Sequence, residues 1–301
     1  MSILNRPGDG NRSVLTVIYK LLLQEGPTDY DKIISLCAPD GVVDPKETRQ
    51  TLNTWCDLGL LTKNADRVSI NQDIKKADRS LHLLPKQARE HVLRSENNQR
   101  LWEVEDSKAS DFCRATAWLL AQDVYTFDCN SWSEAQPRIH HQMGEDANLI
   151  AQNDTRWSGF KDWVTYLGFA SNGRFPVSGS LLIDPTNAIR DSLPQVFGEI
   201  KTLQADQFLS GLADCLPVVD GGEYRDDLEE RLKTATGEHA WHPQPSGQLS
   251  TSLSRAILRL ESLGILKCEN KSDAPVRMIL TGRNGSIVGT YSHLTLLSNK
   301  I

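Results

Sequence analysis

No apolar run in the 301-residue chain approaches the roughly 20 residues that a membrane-spanning helix needs, so no spanning helix is expected. The opening stretch MSILNRPGDG has no long apolar core behind a basic end, which removes a secretory signal and makes the cytoplasm the expected compartment. Cysteine is sparse and scattered, at 37, 56, 113, 129, 215 and 268, with no CxxC pair to build a structural zinc site or a disulfide framework. These thiols are expected reduced and mostly buried. HExxH is absent, so the histidine clusters His140-His141 and His239 with His242 beside Trp241 read as loop residues, and neither metal nor cofactor is expected. There is no Walker-type glycine loop, no GxGxxG after a strand and no GxSxG. Positive charge is also short, with 33 Lys and Arg against 39 Asp and Glu, a net charge of -6. A protein that coats nucleic acid through bulk electrostatics is thereby excluded.

What remains, 39% hydrophobic and 24% charged residues, is the composition of an ordinary soluble globular protein long enough for two or three domains. Its organising feature is the stretch 44–61, DPKETRQTLNTWCDLGLL. Asp44 is placed to accept from first-turn amides, Pro45 needs no donor there, and Glu47 three residues on completes a capping-box arrangement. Leu52, Trp55 and Leu58, with Thr48 and Thr51 beside them, form one apolar stripe, and Gly59 supplies the left-handed stop. Shifted by 205 positions, the pattern returns as LSTSLSRAILRLESLGIL, residues 249–266, with Gly264 over Gly59.

Each copy is followed by an apolar start, a polar turn and an alternating return, LLTKNADRVSIN and ILKCENKSDAPVRMIL, which predicts a hairpin after each helix. Before the first copy, residues 11–24 carry an apolar helical stripe that stops at Gly26-Pro27. Thr28 or Asp29 then caps a second helix through Ile33, Ile34 and Leu36, ending near Pro39-Asp40-Gly41. Three helices and a hairpin resemble a winged helix-turn-helix. Before the second copy, residues 205–216 read as a first helix and 224–233 as a second, with 237–248 as an insertion. The tail IVGTYSHLTLL adds a strand or packs back. Between the copies, residues 72–110 are basic connecting helices. An apolar helix over 110–124 is the core of the middle, and helices follow at 146–151, 158–169 and 186–197, the last interrupted at Pro194. The expected fold is mainly α with small β-wings: a winged-helix domain at 1–76, a helical middle domain at 77–204 and a second winged-helix domain at 205–301.

Winged helices often meet DNA, so the outward positions of the repeated helix are the first candidates for a site. In the first copy these are Lys46, Arg49, Gln50 and Asn53, types that read phosphates and base edges, with Lys63 and Arg67 on the wing. In the second they are Thr251, Ser254, Arg255 and Arg259. Neither end of the chain is basic, with ten cations against ten acids over 1–76 and ten against twelve over 205–301. The N-terminal copy is therefore the better candidate for duplex DNA. The second is expected to meet a protein, either another subunit or a second copy of this chain. An enzymatic alternative rests on Asp184, Glu199 and Lys201, whose spacing matches nucleases in which two carboxylates hold Mg²⁺ and a lysine steadies the water. That pattern needs both acids on adjoining strands, whereas 186–197 reads as helix and Asp184 before Pro-Thr is explained as its cap.

Five phrases read together carry a resemblance: SILNRPGDG at the start, SENNQRLWE at 95–103, DFCRATAWLLAQDVY at 111–125, DPTNAIRDSLPQVFG at 184–198 and LPVVDGGEYR at 216–225. They resemble the DpdG family of bacterial clusters that insert 7-deazaguanine derivatives into DNA and restrict unmodified DNA. The resemblance spans nearly the whole chain. It implies a cytoplasmic role in a modification and restriction module, with DNA and other subunits of the same defence cluster as partners, and it supplies no catalytic residues. The expectation is a nonenzymatic, DNA-associated adaptor of an anti-phage system. The alternatives are the nuclease subunit and a transcriptional regulator of the cluster.

Overall fold

The computed structural model describes residues 2–4, 11–38, 41, 44–103, 108–128, 130–173, 180–232, 237, 239–272 and 274–297. Cys129, Lys233 and Pro39-Asp40 lie outside them. In chain order the helices are α1 Arg12–Glu25, α2 Tyr30–Cys37, α3 Lys46–Asp57, α4 Leu84–Leu93, α5 Ser110–Leu120, α6 Trp132–Met143, α7 Ala147–Ile150, α8 Asp154–Tyr166, α9 Thr186–Phe197, α10 Ala205–Cys215, α11 Glu223–Arg231 and α12 Thr251–Ser262. The strands are β1 Thr28–Asp29, β2 Leu61–Asn64, β3 Arg67–Ile70, β4 Ala170–Gly173, β5 Ser180–Ile183, β6 Thr202–Gln204, β7 Leu266–Glu269, β8 Met278–Thr281, β9 Ile287–Tyr291 and β10 His293–Leu296. The protein is mainly helical with small antiparallel sheets. No helix among the described residues is long and apolar enough to cross a membrane.

The chain divides into two compact units, residues 1–112 with 155–167, and residues 113–154 with 168–301. Residues 77–204 are thus shared between the units. In the first, Asn11 caps α1 through the Ser13 amide at 2.9 Å, and Leu15, Ile18, Tyr19 and Leu22 face inward. Gly26, at φ +71°, ends the helix in a conformation that a Cβ would strain. Asp29 caps α2 through the Lys32 amide at 3.0 Å. Ile33 and Ile34 are buried, but Leu36, expected inward, is 56% exposed.

Helix α3 buries the expected stripe of Thr48, Thr51, Leu52, Trp55 and Leu58, with the Trp55 ring tilted against Trp163 of α8, 5.3 Å between centroids. Its start differs from the expectation. The Asp44 carboxylate makes no cap bond and instead meets Arg49 at 3.4 Å, because Pro45 takes the capping position and only the Asp44 carbonyl reaches the helix, from the Lys46 amide. The helix stops at Gly59, φ +82°, and β2 and β3 pair as the predicted hairpin, Leu61 opposite Ile70 and Asn64 opposite Arg67. β1 adds to the far edge of β3, with Thr28 opposite Val68, giving the order β1-β3-β2.

The second unit repeats this order. α12 and β7 begin and end at positions shifted by 205 from α3 and β2, and Gly264 has φ +68° where Gly59 has +82°. β6 runs into α10 as β1 runs into α2, and α9 packs against both α10 and α12 as α1 packs against α2 and α3. The three-stranded sheet has the order β6-β10-β7, so its last strand is again central. Three expectations change here. The helix before the first strand is α9, which continues through Pro194 at the loss of one backbone bond, and α10 and α11 are not a leading helix pair. The hairpin expected at 265–280 does not form: β7 pairs with β10, and β8 pairs with β9 as a separate ribbon. Leu263, which matches buried Leu58, is 58% exposed. The first two changes come from two insertions, one holding α11 ahead of α12 and one holding β8 and β9 between β7 and β10.

α5 is buried along its length, as its apolar sequence predicts. In the second unit the Trp118 indole donates to the Gln142 side chain at 2.7 Å and Gln122 donates to the same oxygen at 3.0 Å, so α6 is tied to α5 by a satisfied buried network. Two residues of the basic 72–110 stretch have structural roles in the first unit. Arg89, 2% exposed, donates to the Leu167 carbonyl at 2.8 Å, and Arg79 donates to the Ile74 and Asn71 carbonyls.

Candidate nucleic-acid interface

The outer face of α3 carries Lys46, Arg49, Gln50 and Asn53, which its buried stripe leaves pointing away from the core. Lys46 and Arg49 are exposed; Gln50 and Asn53 are half-buried. Tyr30, the first residue of α2, organises this surface. Its hydroxyl donates to Asn53 Oδ1 at 2.8 Å, and Lys63 Nζ of β2 stands 4.0 Å from its ring centroid, within cation–π range. Burial is the main reason the Tyr30 hydroxyl is a weaker acid than an ordinary phenol, so it stays a neutral donor. α3 and the β2-β3 hairpin are therefore linked through one aromatic side chain. Tyr30 carried no signal in the sequence beyond its place next to a helix cap. On β3 Arg67 donates to the Pro27 carbonyl at 2.7 Å, which ties the turn end of the hairpin to the residue before β1 while its side chain stays at the surface.

Acids temper this surface. Asp44 neutralises part of Arg49, and Asp29 is spent on the α2 cap. The remaining cations, Lys46 on α3 with Lys63 and Arg67 on the hairpin, are exposed. Such an arrangement suits a small number of phosphate contacts.

The equivalent face of α12 is closed. Thr251 and Ser254 take the places of Lys46 and Arg49, and both are buried rather than exposed as expected. Thr251 Oγ1 accepts from the Val124 amide at 3.0 Å, and Ser254 Oγ accepts from the Thr281 amide of β8 at 2.8 Å. Ser252 donates to the Leu120 carbonyl at 2.7 Å on the same side. The β8-β9 insertion and the residues after α5 thus lie where a groove would have to be. Arg255 is exposed, whereas Arg259 is paired with Asp184.

Asp184, Glu199 and Lys201 are not brought together. The twelve residues of α9 separate Asp184 from Glu199, about 18 Å at 1.5 Å per residue. Both Asp184 oxygens are engaged, one by the Thr186 amide and hydroxyl and the other by Arg259. Among the described residues no group of three or more His, Cys, Asp or Glu is placed to hold a metal ion. His141 does approach His239, at 6.3 Å between ring centroids, a pairing across the two histidine clusters that spacing alone could not show. Of the described cysteines Cys113 is buried and Cys37, Cys56, Cys215 and Cys268 are half-buried. Burial pushes the Cys56 and Cys268 thiols up to about 11 and about 12, which leaves them un-ionised and poor nucleophiles.

A family model described as DpdG-like matches residues 1–274. No curated protein and no solved structure matches the chain.

Proposed function

The chain belongs to the DpdG-like family, and from that premise we propose that it is a nonenzymatic, DNA-associated adaptor of a bacterial system linking 7-deazaguanine DNA modification to restriction. Membership associates the chain with the 7-deazaguanine modification cluster. Both copies of the repeat are read as winged helix-turn-helix units, the first within residues 1–76 and the second beginning at α9. The first is the DNA-contacting unit: α3 presents Lys46, Arg49, Gln50 and Asn53 to a major groove while Lys63 and Arg67 on the wing meet the backbone. The second docks partner subunits of the cluster. One observation carries the assignment. The polar face of α3 is open, and the positions matching Lys46 and Arg49 on α12 are buried beneath β8 and the residues after α5.

The test is a gel shift with duplex DNA over a salt series. Affinity should fall with salt, and the triple variant Lys46→Glu, Arg49→Glu, Lys63→Glu should abolish the shift, while each phosphate contact removed singly lowers the salt slope by about 0.9. Arg255→Glu should leave binding unchanged. Binding indifferent to both salt and the triple substitution would sink the proposal.

A further inference from the structure

The two copies of the repeat differ most where the helix turns into the strand. In the first copy the turn Leu58-Gly59-Leu60 is covered. Leu58 and Leu60 are 2% and 0% exposed, and the Leu58 carbonyl, left free by the end of α3, accepts from His91 Nδ1 at 3.3 Å and Asn97 Nδ2 at 3.0 Å. A Cβ built on Gly59 would stand 3.6 Å from the His91 ring. The cover is α4 with the turn that follows it.

In the second copy the matching turn is Leu263-Gly264-Ile265, and nothing covers it among the described residues. A Cβ on Gly264 meets no atom within 4 Å, and Leu263 is 58% exposed. Sheet register widens the bare area. The Leu297 amide donates to the Ile265 carbonyl at 2.9 Å, and the Leu296 amide donates to the Lys201 carbonyl at 2.9 Å, so Ile200, Leu297 and Ile265 continue the sheet register as one row just past the ends of β6, β10 and β7. Leu297 and Ile200 are 53% and 60% exposed.

We infer that this row, with Leu263, is the docking site for an amphipathic helix of a partner protein, one that carries an Asn or His side chain to donate to the Leu263 carbonyl. The occupant is argued from the first copy, where the same turn on the same scaffold is closed by such a helix and by those two donor types. Area argues against a second copy of the chain. Three side chains more than half exposed present on the order of 300 Å², well short of the roughly 800 Å² per partner of a stable dimer. One helix is enough to cover it.

The chain itself supplies the probe. A labelled peptide of residues 81–98, with Lys86 and Glu90 joined as a lactam to hold the helix, is titrated with the full chain and followed by fluorescence anisotropy. Saturable binding is expected, weakened at least tenfold by Leu263→Asp or Leu297→Asp in the chain and roughly fivefold by Asn97→Ala in the peptide. Both chain positions are exposed, so unchanged circular dichroism should show that the variants fold. Absence of binding by the bridged peptide, or binding that neither aspartate affects, overturns the inference. Self-association of the chain that Leu263→Asp abolishes would also overturn it, by making a second copy the occupant.

Discussion

His91 offers a quantitative test of how the first copy holds its covering helix. The imidazole is 1% exposed, and burial, aided by the Arg94 guanidinium, lowers its pKa from the ordinary 6.5 to about 4 against the opposing pull of the Leu58 carbonyl, Glu96 and Asp73. The fold therefore binds the neutral ring. The stabilisation this provides is fully present above pH 6.5 and is lost as pH falls through 4, because only the unfolded chain takes up the proton in that interval. A drop from 6.5 to about 4 corresponds to about 3 kcal/mol in total, most of which is gone by pH 4.5. Glu90 works in the opposite direction, since burial raises its carboxyl and the fold gains as that group protonates. The measurement must therefore be a difference. His91→Asn keeps a donor near the Nδ1 position but cannot titrate. Urea unfolding of wild type and variant, followed by tryptophan fluorescence at pH 7.5 and 4.5, should show the wild-type advantage shrinking by about 2 to 3 kcal/mol at the lower pH. An advantage that is the same at both pH values refutes the reasoning.

The two glycines that end the repeated helices should respond alike. Gly59→Ala and Gly264→Ala each force a side chain into a left-handed conformation without a close clash, and each should cost about 1 kcal/mol by thermal melting. A much larger loss at one of them would mean that the copies do not share this turn. Trp55→Ala removes a fully buried ring packed against Trp163 and should cost about 3 to 5 kcal/mol in urea, with the loss confined to the first unit.

How much of this was legible depended on whether the signal was local. The 205-residue repeat was, because a helix stripe and a left-handed glycine are written within fifteen residues, and α12 with β7 fall where the shift puts them. The sheet of the second copy was not. β7 has an alternating segment directly after it, but β10 offers the central β-branched and leucine positions, and strand choice is settled by burial across the sheet rather than by nearness in sequence. α6 was passed over although Ser131 and Glu134 form a capping box, with the Glu134 carboxylate accepting from the Ser131 amide at 2.8 Å; Pro137 in the second turn obscured the helical pattern. Of the site, the residue types on α3 could be read from the spacing. The link through Tyr30 and the closure of α12 could not, since both depend on residues distant in the chain.

The two copies also bear on how the proposed DNA contact could fall to one end only of an acidic protein. The shared scaffold has two surfaces that can serve a partner, the polar face of the last helix and the apolar turn that follows it. In the first copy α4 closes the turn and the helix face stays open, with Lys46 and Arg49 on it. In the second copy the β8-β9 insertion closes the helix face and the turn stays open, with Leu263 on it. Each copy therefore leaves one surface unspent, and not the same one. A polar, cationic helix suits phosphates, and an apolar turn with a free carbonyl suits a helix of protein. If the chain joins nucleic acid to another subunit, this exchange of covers is what lets one duplicated scaffold do both, and the Glu substitutions on α3 and the Asp substitutions at Leu263 and Leu297 should abolish the two activities independently.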